Sequence, residues 1–474
     1  MIAEDENRGP EWVLLSRNVC VPDGCRPAAV LIRGEKIVGL TEHGATPASW
    51  PIVDVGEHFV LPGLVETHAH VNEPGRTEWE GFDSATRAAA AGGITTLIDM
   101  PLNSRPVTTT LEALLLKQQA AAGQTWVDCG LHAGIVPGNA QQVKPLLDAG
   151  VCAFKAFLCH SGIDEFPNAT ESDLRAVMPI LAEAGVPLFV HAELVRPLPE
   201  KVRTAFLNHP KSYAAYLATR PPEWELAAIR LLIRLCRDYR CAVHIVHLSA
   251  AEAARPLILE AKKAGLPITV ETCPHYLYFM AESIADGDTR FKCAPPIRDM
   301  RQRDCLRYMV ELGEIDTIGS DHSPAPPALK HLEDGDLSLA WGGIASLQLL
   351  LPAFWSTLQG SHVSRASRVA RLLAANPARL VGLDDRKGAL VPGRDADLIV
   401  FDPNAVIVVQ QHKLYHRHKA TPYHGCTLQG RVEMTVLRGR KVFEHDTILG
   451  EPQGCLLERA AWTERGFSWP TWRT

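Results

Sequence analysis

The sequence lacks three features that would place it in a common functional class: an excess of positive charge, closely paired cysteines and a long apolar run. Its 48 lysines and arginines are outnumbered by 54 acidic residues, for a formal net charge of −6. A nucleic-acid-binding protein would carry a basic excess, because phosphate contacts need lysine and arginine. The longest uncharged stretch, residues 337–364, is interrupted by glycine, proline and serine, so we expect no membrane span.

The cysteines indicate a reducing compartment. No two of the twelve cysteines form a C-x-x-C pair, and the acidic N-terminal residues contain no apolar segment like that of a secretory signal. Free thiols without such a signal predict a cytoplasmic protein. The composition, 46% hydrophobic and 22% charged, is that of an ordinary globular chain. It excludes a wholly disordered, collagen-like or coiled-coil protein.

Short strand-like segments occur at both ends of the chain. Alternating or β-branched residues predict strands near the N-terminus, and the same pattern returns after a Gly- and Pro-containing link at residues 387–394. We therefore predict one small β-sandwich formed by residues 1–57 and 389–474, the second segment ending in a tail. The predicted strands are 12–18, 29–33, 36–40 and 52–55, then 397–401, 406–409, 432–437 and 441–443.

Between these ends, short apolar runs alternate with Ala-, Leu- and Glu-rich helical stretches. Continuous apolar strands flanked by helices are typical of a parallel sheet that is buried on both faces. Eight such units predict an α/β fold, a (β/α)₈ TIM barrel, over residues 58–388. The eight runs are 61–66, 94–100, 127–133, 151–157, 186–191, 243–248, 267–272 and 315–320.

Polar residues of the predicted barrel strands concentrate at the carboxyl ends of those strands. In a barrel these ends meet at one mouth, where the loops build the active site. Imidazoles and carboxylates bind divalent ions such as Zn²⁺. His68 and His70 point to the same face because they are two residues apart on a strand. The residues gathered at the mouth would be His68, His70, Lys155, His191, His247 and Asp321.

Lys155 is unusual because it lies in an otherwise apolar run, residues 151–158. Lysine is rarely buried, since removing an ammonium from water is costly. One interpretation is that the amine extends to solvent at the barrel mouth. The other is that burial lowers its pKa, so that the neutral amine reacts with CO₂ to give a carbamate able to bridge two cations. The residues by themselves leave both interpretations open.

The run LPGLVETHAH at residues 61–70 is the first of several motifs that resemble those of the cyclic amidohydrolases, and within that superfamily the sequence is similar to the allantoinase family. The resemblance implies a hydrolase that opens the hydantoin ring of allantoin to give allantoate, in purine and ureide degradation. It spans most of the chain and includes residues 72–82, 88–96, 99–104, 154–158, 191–194, 246–249, 271–277, 292–298, 319–324 and 393–398.

The same resemblance implies a centre of two divalent metal ions. Carboxylated Lys155 and a hydroxide would bridge the ions, and Asp321 would also act as general base. Zn²⁺ is the expected metal, with Co²⁺, Mn²⁺ or Fe²⁺ as alternatives. A homotetramer is implied as well. The two sets of ligands would be His68, His70 and Asp321 for one ion, and His191 and His247 for the other.

The choice of substrate depends on residues beside these ligands. In dihydroorotase the H-x-H motif continues to an arginine that binds the substrate carboxylate, whereas Asn72 occupies that position here. The amides of Asn72 and Asn103 would bind the neutral ureido group of allantoin, and Ala294 would complete the substrate site. The alternatives are dihydroorotase, hydantoinase or dihydropyrimidinase, and a non-catalytic scaffold of the same fold. For Asn72 the competing interpretation is a purely structural role in its loop.

Other acidic residues near the mouth are assigned supporting roles. Asp99 and Glu271 end predicted strands, and we expect them to hydrogen-bond the metal ligands rather than bind metal. Glu73 and Glu78 follow the H-x-H motif, and we expect them to order their loop through Arg76 and backbone hydrogen bonds.

The remaining histidines are not assigned to the metal centre. His160 is left open between a substrate contact and a loop residue. We expect His244 to face the helices as a hydrogen-bonded core residue, and His275 to make a structural hydrogen bond. We expect a C-terminal group to lie away from the barrel mouth without binding metal. That group comprises His412, His416, His418 and His424.

Overall fold

Strands occupy both ends of the chain and alternate with helices between them in the computed structural model, which describes residues 10–459. The strands are β1 (Glu11–Val21), β2 (Gly24–Arg33), β3 (Lys36–Thr41), β4 (Ile52–Asp54), β5 (Phe59–Pro62), β6 (Leu64–Ala69), β7 (Ile94–Asp99), β8 (Asp128–Leu131), β9 (Ala133–Gly134), β10 (Phe154–Phe157), β11 (Leu188–His191), β12 (Val243–Ile245), β13 (Ile268–Thr272), β14 (Thr317–Ile318), β15 (Leu398–Val408), β16 (Thr427–Leu437), β17 (Arg440–Glu444) and β18 (Thr447–Ile448).

The helices lie mainly between the barrel strands. They are α1 (Phe82–Ala91), α2 (Leu111–Ala121), α3 (Ala140–Asp148), α4 (Glu171–Ala184), α5 (Glu200–Asn208), α6 (Tyr213–Ala218), α7 (Pro222–Tyr239), α8 (Ala251–Lys263), α9 (Pro274–Tyr278), α10 (Met300–Glu311), α11 (Leu350–Trp355), α12 (His362–Ala370) and α13 (Asn376–Leu380). Helix α4 shows why they form where they do. Thr170 and Asp173 make a capping box at its start, Gly185 ends it in the left-handed conformation, and its buried residues follow helical spacing.

The two ends of the chain form one β structure, as predicted. Their strands make a nine-stranded sheet in the order β18-β17-β16-β15-β5-β1-β2-β3, with β4 also paired to β1. Apolar side chains from both segments, among them Leu14, Val30, Val400 and Val436, pack in one buried cluster. The fold is therefore a barrel with a small β-sandwich built from the N- and C-terminal segments. The domain boundaries at 57/58 and 388/389 remain predictions.

The central strands form the predicted (β/α)₈ barrel. Every strand pair from β6 to β14 is parallel, and β8 and β9 together make the third barrel strand, interrupted at His132. The ring closes between its first and last strands. There, Ala69 forms a parallel bridge with His322, and the N–H of His70 donates to the carbonyl of His322 over 2.8 Å. The closure therefore lies beside two of the predicted metal ligands.

The predicted first barrel strand, residues 61–66, is wrong as a single element. Leu61 and Pro62 end β5 in the sandwich, and β6 begins at Leu64 in the barrel. Gly63 makes the transition, and a Cβ at this position would lie 2.2 Å from the Thr95 hydroxyl oxygen. The chain must therefore pass the neighbouring barrel strand closely, which glycine permits. Two strands predicted separately, 397–401 and 406–409, are instead continuous in β15, with an irregularity between Asp402 and Val406.

Two of the cysteines form a disulfide, whereas we predicted free thiols. Cys20 and Cys25 are joined by a disulfide, because the antiparallel register of β1 and β2 places them opposite each other. The other cysteines of the described chain are free, most of them buried. Within residues 10–459, none of the helices combines the length and apolar character that crossing a bilayer requires.

A buried group of charges joins the base of the barrel to the sandwich. Lys387 donates to Asp128 at the start of β8 over 2.6 Å and to Asp397 over 2.7 Å, and its Nζ lies 3.0 Å from Asp395. Arg438 also pairs with Asp128. We call these five residues the base cluster. Their charges are mutually paired inside the protein, so the cluster fixes the two parts of the fold against each other.

Candidate metal centre

The structure places the six predicted ligands together at the mouth of the barrel. None exposes more than 8% of its surface. Their positions follow from the strand ends, because the carboxyl ends of barrel strands converge. His68 lies in β6, Lys155 in β10 and His191 at the end of β11, whereas His70, His247 and Asp321 follow β6, β12 and β14 within three residues.

Two histidines and one carboxylate form the tightest part of this group. Asp321 Oδ1 lies 3.3 Å from His68 Nε2 and 3.7 Å from His70 Nε2. The ligand atoms of these three residues all lie within 4.8 Å of one another. The ring centre of His247 is 5.3 Å from that of His68 and 4.6 Å from that of His191. All four imidazoles and the carboxylate therefore border one small volume.

Burial keeps the imidazoles of His70, His191 and His247 neutral. It holds the pKa values of His70 and His247 well below the ordinary range, and neighbouring histidines lower them further. Burial also lowers the pKa of His191 to about 4. A neutral imidazole keeps a lone pair for a metal ion, whereas an imidazolium has none. The donor set thus has the chemistry that a divalent transition-metal ion requires.

Lys155 does not reach solvent. Its side chain is fully buried, and its Nζ has no hydrogen-bond partner among residues 10–459. The centre of the Phe157 ring lies 5.2 Å from this Nζ. Burial lowers the pKa of Lys155 to about 8. The interpretation in which the amine extends to solvent is therefore wrong. An unpartnered, buried amine fits the carbamate interpretation, because the carbamate would supply oxygen ligands at this point.

Hydrogen bonds hold the ligand rings in position. The Nδ1–H of His68 donates to Glu271 over 2.6 Å, and that of His70 donates to the carbonyl of Leu102 over 2.9 Å. Both rings consequently direct Nε2 toward Asp321. Such partners fix the tautomer and orientation of a metal-binding histidine. The expectation that Glu271 supports a ligand agrees with this geometry.

Asp99, by contrast, supports the backbone. One carboxylate oxygen accepts a hydrogen bond from the N–H of Val71 over 2.8 Å, and the other accepts from Lys117 over 2.5 Å. The direct bond to a metal ligand that we expected is absent from the described structure. Asp99 therefore supports His70 indirectly, through the backbone of Val71, which directly follows it.

Glu193 is a second carboxylate that orients a ligand ring, and it was not among the predicted residues. The Nε2–H of His191 donates to Glu193 over 2.8 Å, and Arg220 donates to the same carboxylate over 3.1 Å. The signal was present in the H-A-E run, because residues two apart at a strand end share a face. Cys159 lies with His191 and Glu193 in a group that has metal-ligand spacing. The Arg220 guanidinium contacts both Glu193 and Cys159, so its positive charge disfavours a cation between those two side chains.

A family model described as the amidohydrolase family matches residues 59–442. The chain belongs to the amidohydrolase family. An allantoinase of Streptomyces avermitilis is 46% identical over 450 residues, which cover 95% of this amidohydrolase and 99% of that protein. An allantoinase of Arabidopsis thaliana is 43% identical and covers 91% and 88% of the two chains. The solved L-hydantoinase (dihydropyrimidinase) from Arthrobacter aurescens has a TM-score of 0.88 at 29% identity, with coverage of 95% and 100%.

Two predicted substrate residues of this amidohydrolase, Asn72 and Asn103, are buried in the loops after β6 and β7 and hydrogen-bond each other. Asn72 takes a left-handed backbone conformation, with φ of 67°. Its side-chain oxygen accepts from the amide of Asn103 over 3.1 Å, and its own amide donates to the carbonyl of Pro324 over 3.5 Å. Ala294 is partly exposed. These contacts show that Asn72 shapes the loop, and its contact with substrate stays a prediction.

The acidic residues after the H-x-H motif order the loop differently from our expectation. Arg76 pairs with Glu165, 3.1 Å away, and not with Glu73 or Glu78. The Glu73 carboxylate instead accepts from the N–H of Phe82 at the start of α1, over 2.8 Å. Glu78 contributes its backbone carbonyl. The correction arises because Glu165 comes from another barrel loop, which the local sequence does not reveal.

Two core histidines of this amidohydrolase also differ from the prediction. His244 faces the barrel interior and not the helices, since its ring lies 4.5 Å from that of Phe189 and bonds Thr269 on the next strand over 2.8 Å. His275 makes no hydrogen bond within the described residues, although both its ring nitrogens are buried. It packs instead edge-on against Tyr276, with ring centres 4.2 Å apart.

Two further histidines, His160 and His416, lie on segments near the mouth. His160 is exposed on its loop and lies 3.3 Å from Asp164. His416 corrects the expectation that the C-terminal histidines lie away from the mouth. It is fully buried, and its ring centre is 5.6 Å from that of His322, the residue after Asp321. The long connection between β15 and β16 brings it there.

Proposed function

We propose that this protein is an allantoinase, a cyclic amidohydrolase that opens the hydantoin ring of allantoin to give allantoate. The observation that carries the proposal is the full set of six buried ligand-type side chains at one barrel mouth, in a chain that is 46% identical over 450 residues to a protein named allantoinase. A non-catalytic scaffold of the same fold would have no need to keep these buried polar groups, which are costly to bury.

The proposed centre holds two divalent ions. His68, His70 and Asp321 would hold one ion, whereas His191 and His247 would hold the other. Lys155, carboxylated by CO₂, would bridge them. Zn²⁺ suits this mixture of imidazole and carboxylate donors, and Co²⁺, Mn²⁺ or Fe²⁺ would suit it as well. When bound, such ions supply Lewis-acid polarisation of a carbonyl and a lowered pKa for water.

The chain's own residues would bind the substrate and move one proton. Water adds to the ring amide carbon, the ring C–N bond breaks, and the nitrogen leaves with a proton. Asp321 is the proposed base that takes the proton from water and returns it to that nitrogen. Glu271 and the Leu102 carbonyl keep the His68 and His70 rings facing Asp321. Asn72, Asn103 and Ala294 are the proposed contacts with substrate.

Hydantoinase or dihydropyrimidinase activity is the second candidate. The likeness of the whole chain to a solved L-hydantoinase favours it, because both reactions hydrolyse a cyclic amide. Dihydroorotase is less suited to this site. A carboxylate substrate calls for a bidentate arginine, and the corresponding position is Asn72.

We further propose a cytoplasmic homotetramer. The tetramer is supported by the family resemblance, and the cytoplasm by the many free, buried thiols. Light scattering of the purified protein would measure the mass of the assembly, and a mass other than four chains would contradict the tetramer. Fractionation of cells that make the protein would test its compartment.

A ring-opening assay would test the function directly. The metal-loaded protein should be offered allantoin, hydantoin, dihydrouracil and dihydroorotate under one set of conditions. We expect kcat/KM to be highest for allantoin and lowest for dihydroorotate, since a site built to bond one polar group discriminates strongly against another. Preferred turnover of hydantoin or dihydrouracil would move the assignment to the second candidate. If none of the four compounds is hydrolysed, the non-catalytic scaffold becomes the better assignment.

A further inference from the structure

A buried carboxylate that the proposed reaction does not use lies beside the metal centre. Glu80 is in the loop between β6 and α1 and is fully buried. Its carboxylate accepts hydrogen bonds from donors of three separate segments. These are the Ser84 hydroxyl at 2.5 Å, the backbone N–H of Arg417 at 3.0 Å and the Nε2–H of His322 at 3.3 Å. One side chain thus ties together three parts of the barrel mouth.

The ring of His322 is held from both sides. Its Nδ1 accepts hydrogen bonds from the backbone N–H groups of Ser346 at 3.1 Å and Leu347 at 3.3 Å. A ring nitrogen that accepts hydrogen bonds carries no proton, so the proton of the neutral ring is on Nε2. Nε2–H is therefore the donor to Glu80, and the tautomer follows from the geometry.

His322 connects two of the proposed metal ligands through the backbone. It directly follows Asp321, and its carbonyl accepts the N–H of His70 over 2.8 Å. The same residue bridges Ala69 where the barrel closes. A shift of His322 would therefore move Asp321 relative to His70, whose Nε2 lies 3.7 Å from the Asp321 carboxylate.

A C-terminal strap, residues 409–426 between β15 and β16, contacts the loop after β6 and the loop after β14. Besides its backbone bond to the Glu80 carboxylate, Arg417 donates through Nε to the Glu80 carbonyl over 2.5 Å. The Nε2–H of His418 donates to the carbonyl of Glu78 over 2.7 Å. Further along, the Thr421 hydroxyl donates to the carbonyl of Ala345 over 2.7 Å, beyond β14. The strap thus contacts the loop after each of the two strands that close the barrel.

We propose that Glu80 is a positioning residue of the metal centre. Through His322 it holds Asp321 in register with His70, and the C-terminal strap keeps Glu80 in place. The inference deepens the proposed function and rests on it for the identity of the ligands. It also gives a role to the C-terminal segment that carries the cluster of histidines.

Retention of Zn²⁺ tests this proposal without substrate. Glu80→Gln keeps the size of the side chain but has one acceptor oxygen, so it cannot accept from both His322 and Arg417. The Zn²⁺-loaded protein would be dialysed against graded chelator, and the metal left on each chain measured. Direct hydrogen-bond partners of metal ligands typically change metal affinity by about 10- to 100-fold. Because Glu80 acts through His322, we expect a loss at the lower end of that range for one of the two proposed ions, with an unchanged circular dichroism spectrum.

Thr421→Ala is the matched control, because it removes a bond between the strap and the barrel without touching Glu80. It should retain Zn²⁺ like the unmutated protein. The proposal is overturned if Glu80→Gln also retains Zn²⁺ normally, or if both variants lose it equally. In the second case, general loosening of the strap would explain the loss.

Two substitutions of His322 keep the proposal testable should Glu80→Gln fail to fold. His322→Gln places an amide N–H near the position of Nε2, whereas His322→Asn places an amide oxygen near that of Nδ1. We expect His322→Gln to retain Zn²⁺ in the range of the unmutated protein, and His322→Asn to lose it. Equal retention by the two would contradict the role of Glu80. Failure to hydrolyse allantoin would leave these metal measurements intact, so the proposed function can fail separately.

Discussion

Two buried lysines, one at each end of the barrel, differ in what surrounds them. Lys155 at the mouth has no hydrogen-bond partner in the described chain, and burial lowers its pKa to about 8. Lys387 at the base is equally buried, and burial would lower its pKa too. Three carboxylates within 3.0 Å outweigh that effect and raise the pKa above its ordinary value.

The difference separates structure from chemistry. A buried ammonium is tolerated when its charge is matched, so Lys387 can join two parts of the fold. A buried amine without partners costs stability and is retained at functional sites, where perturbed groups concentrate. The base cluster should therefore govern unfolding, and Lys155 should govern the reaction.

Lys155→Ala should have the largest effect on activity. We expect kcat to fall by at least about 1,000-fold, because the oxygen ligands that the proposed carbamate would share between two ions, and with them the metal chemistry, would be lost. Metal analysis should show fewer than two ions per chain. The free energy of unfolding should stay the same or rise, since the buried amine has no hydrogen-bond partner among residues 10–459 to lose. Lys155→Arg should fail as well, because a guanidinium between two cations is repelled.

Added small carboxylates would sharpen this test. A carboxylate such as acetate can occupy the space left in Lys155→Ala and supply bridging oxygens, so part of the activity should return. Lys155→Ala with full metal content and full activity would contradict the carbamate.

Lys387→Met should have the largest effect on stability. Removing the ammonium leaves Asp128, Asp395 and Asp397 buried close together without it. Breaking a buried ion pair in this way costs about 3–5 kcal/mol, which urea unfolding would measure. Metal content and turnover of the folded fraction should not change. Lys387→Arg, which keeps the charge, is the control, and its free energy of unfolding should fall by less. An unaltered unfolding curve for Lys387→Met would contradict the structural role assigned to Lys387.

The pH dependence of stability should carry the signature of Asp395. Burial raises its pKa, but Lys387 and Lys36 outweigh this and lower it from 3.8 to about 2. Because the folded pKa is depressed, the stabilisation is complete above pH 4 and is lost as the pH falls toward 2. Between pH 4 and pH 2, the free energy of unfolding should depend less on pH in Asp395→Asn than in the unmutated protein. An identical pH profile for the variant would show that the carboxylate is not stabilised by its neighbours.

Asn72→Ala should have the smallest effect. Its side-chain amide is hydrogen-bonded to Asn103 and Pro324. In this respect it resembles the base cluster, whose charges are paired with one another. We expect an unfolding free energy about 1 kcal/mol lower, with full metal content. If Asn72 also contacts substrate, kcat/KM for allantoin should fall. Unchanged kinetics in the folded, metal-loaded variant would assign Asn72 to the loop only.

Periodicity predicted the barrel and the terminal β structure because each strand has a local pattern of apolar residues. It predicted the six residues of the candidate site because barrel topology brings strand ends together. It failed at Gly63, where one apolar run passes from sandwich to barrel, and at Cys20 and Cys25, which only strand register brings together. Neither feature changes the local pattern on which the prediction rests.

The sequence by itself determined which residues can bind metal, since their side-chain types and their places at strand ends are local properties. Tertiary structure decided what holds them. Glu193 and Arg220, Glu80 and His322, and the carboxylates around Lys387 meet across long separations along the chain. It also decided that the Lys155 amine has no hydrogen-bond partner among residues 10–459. Partnership and burial depend on which segments pack together, and a single segment does not encode its neighbours.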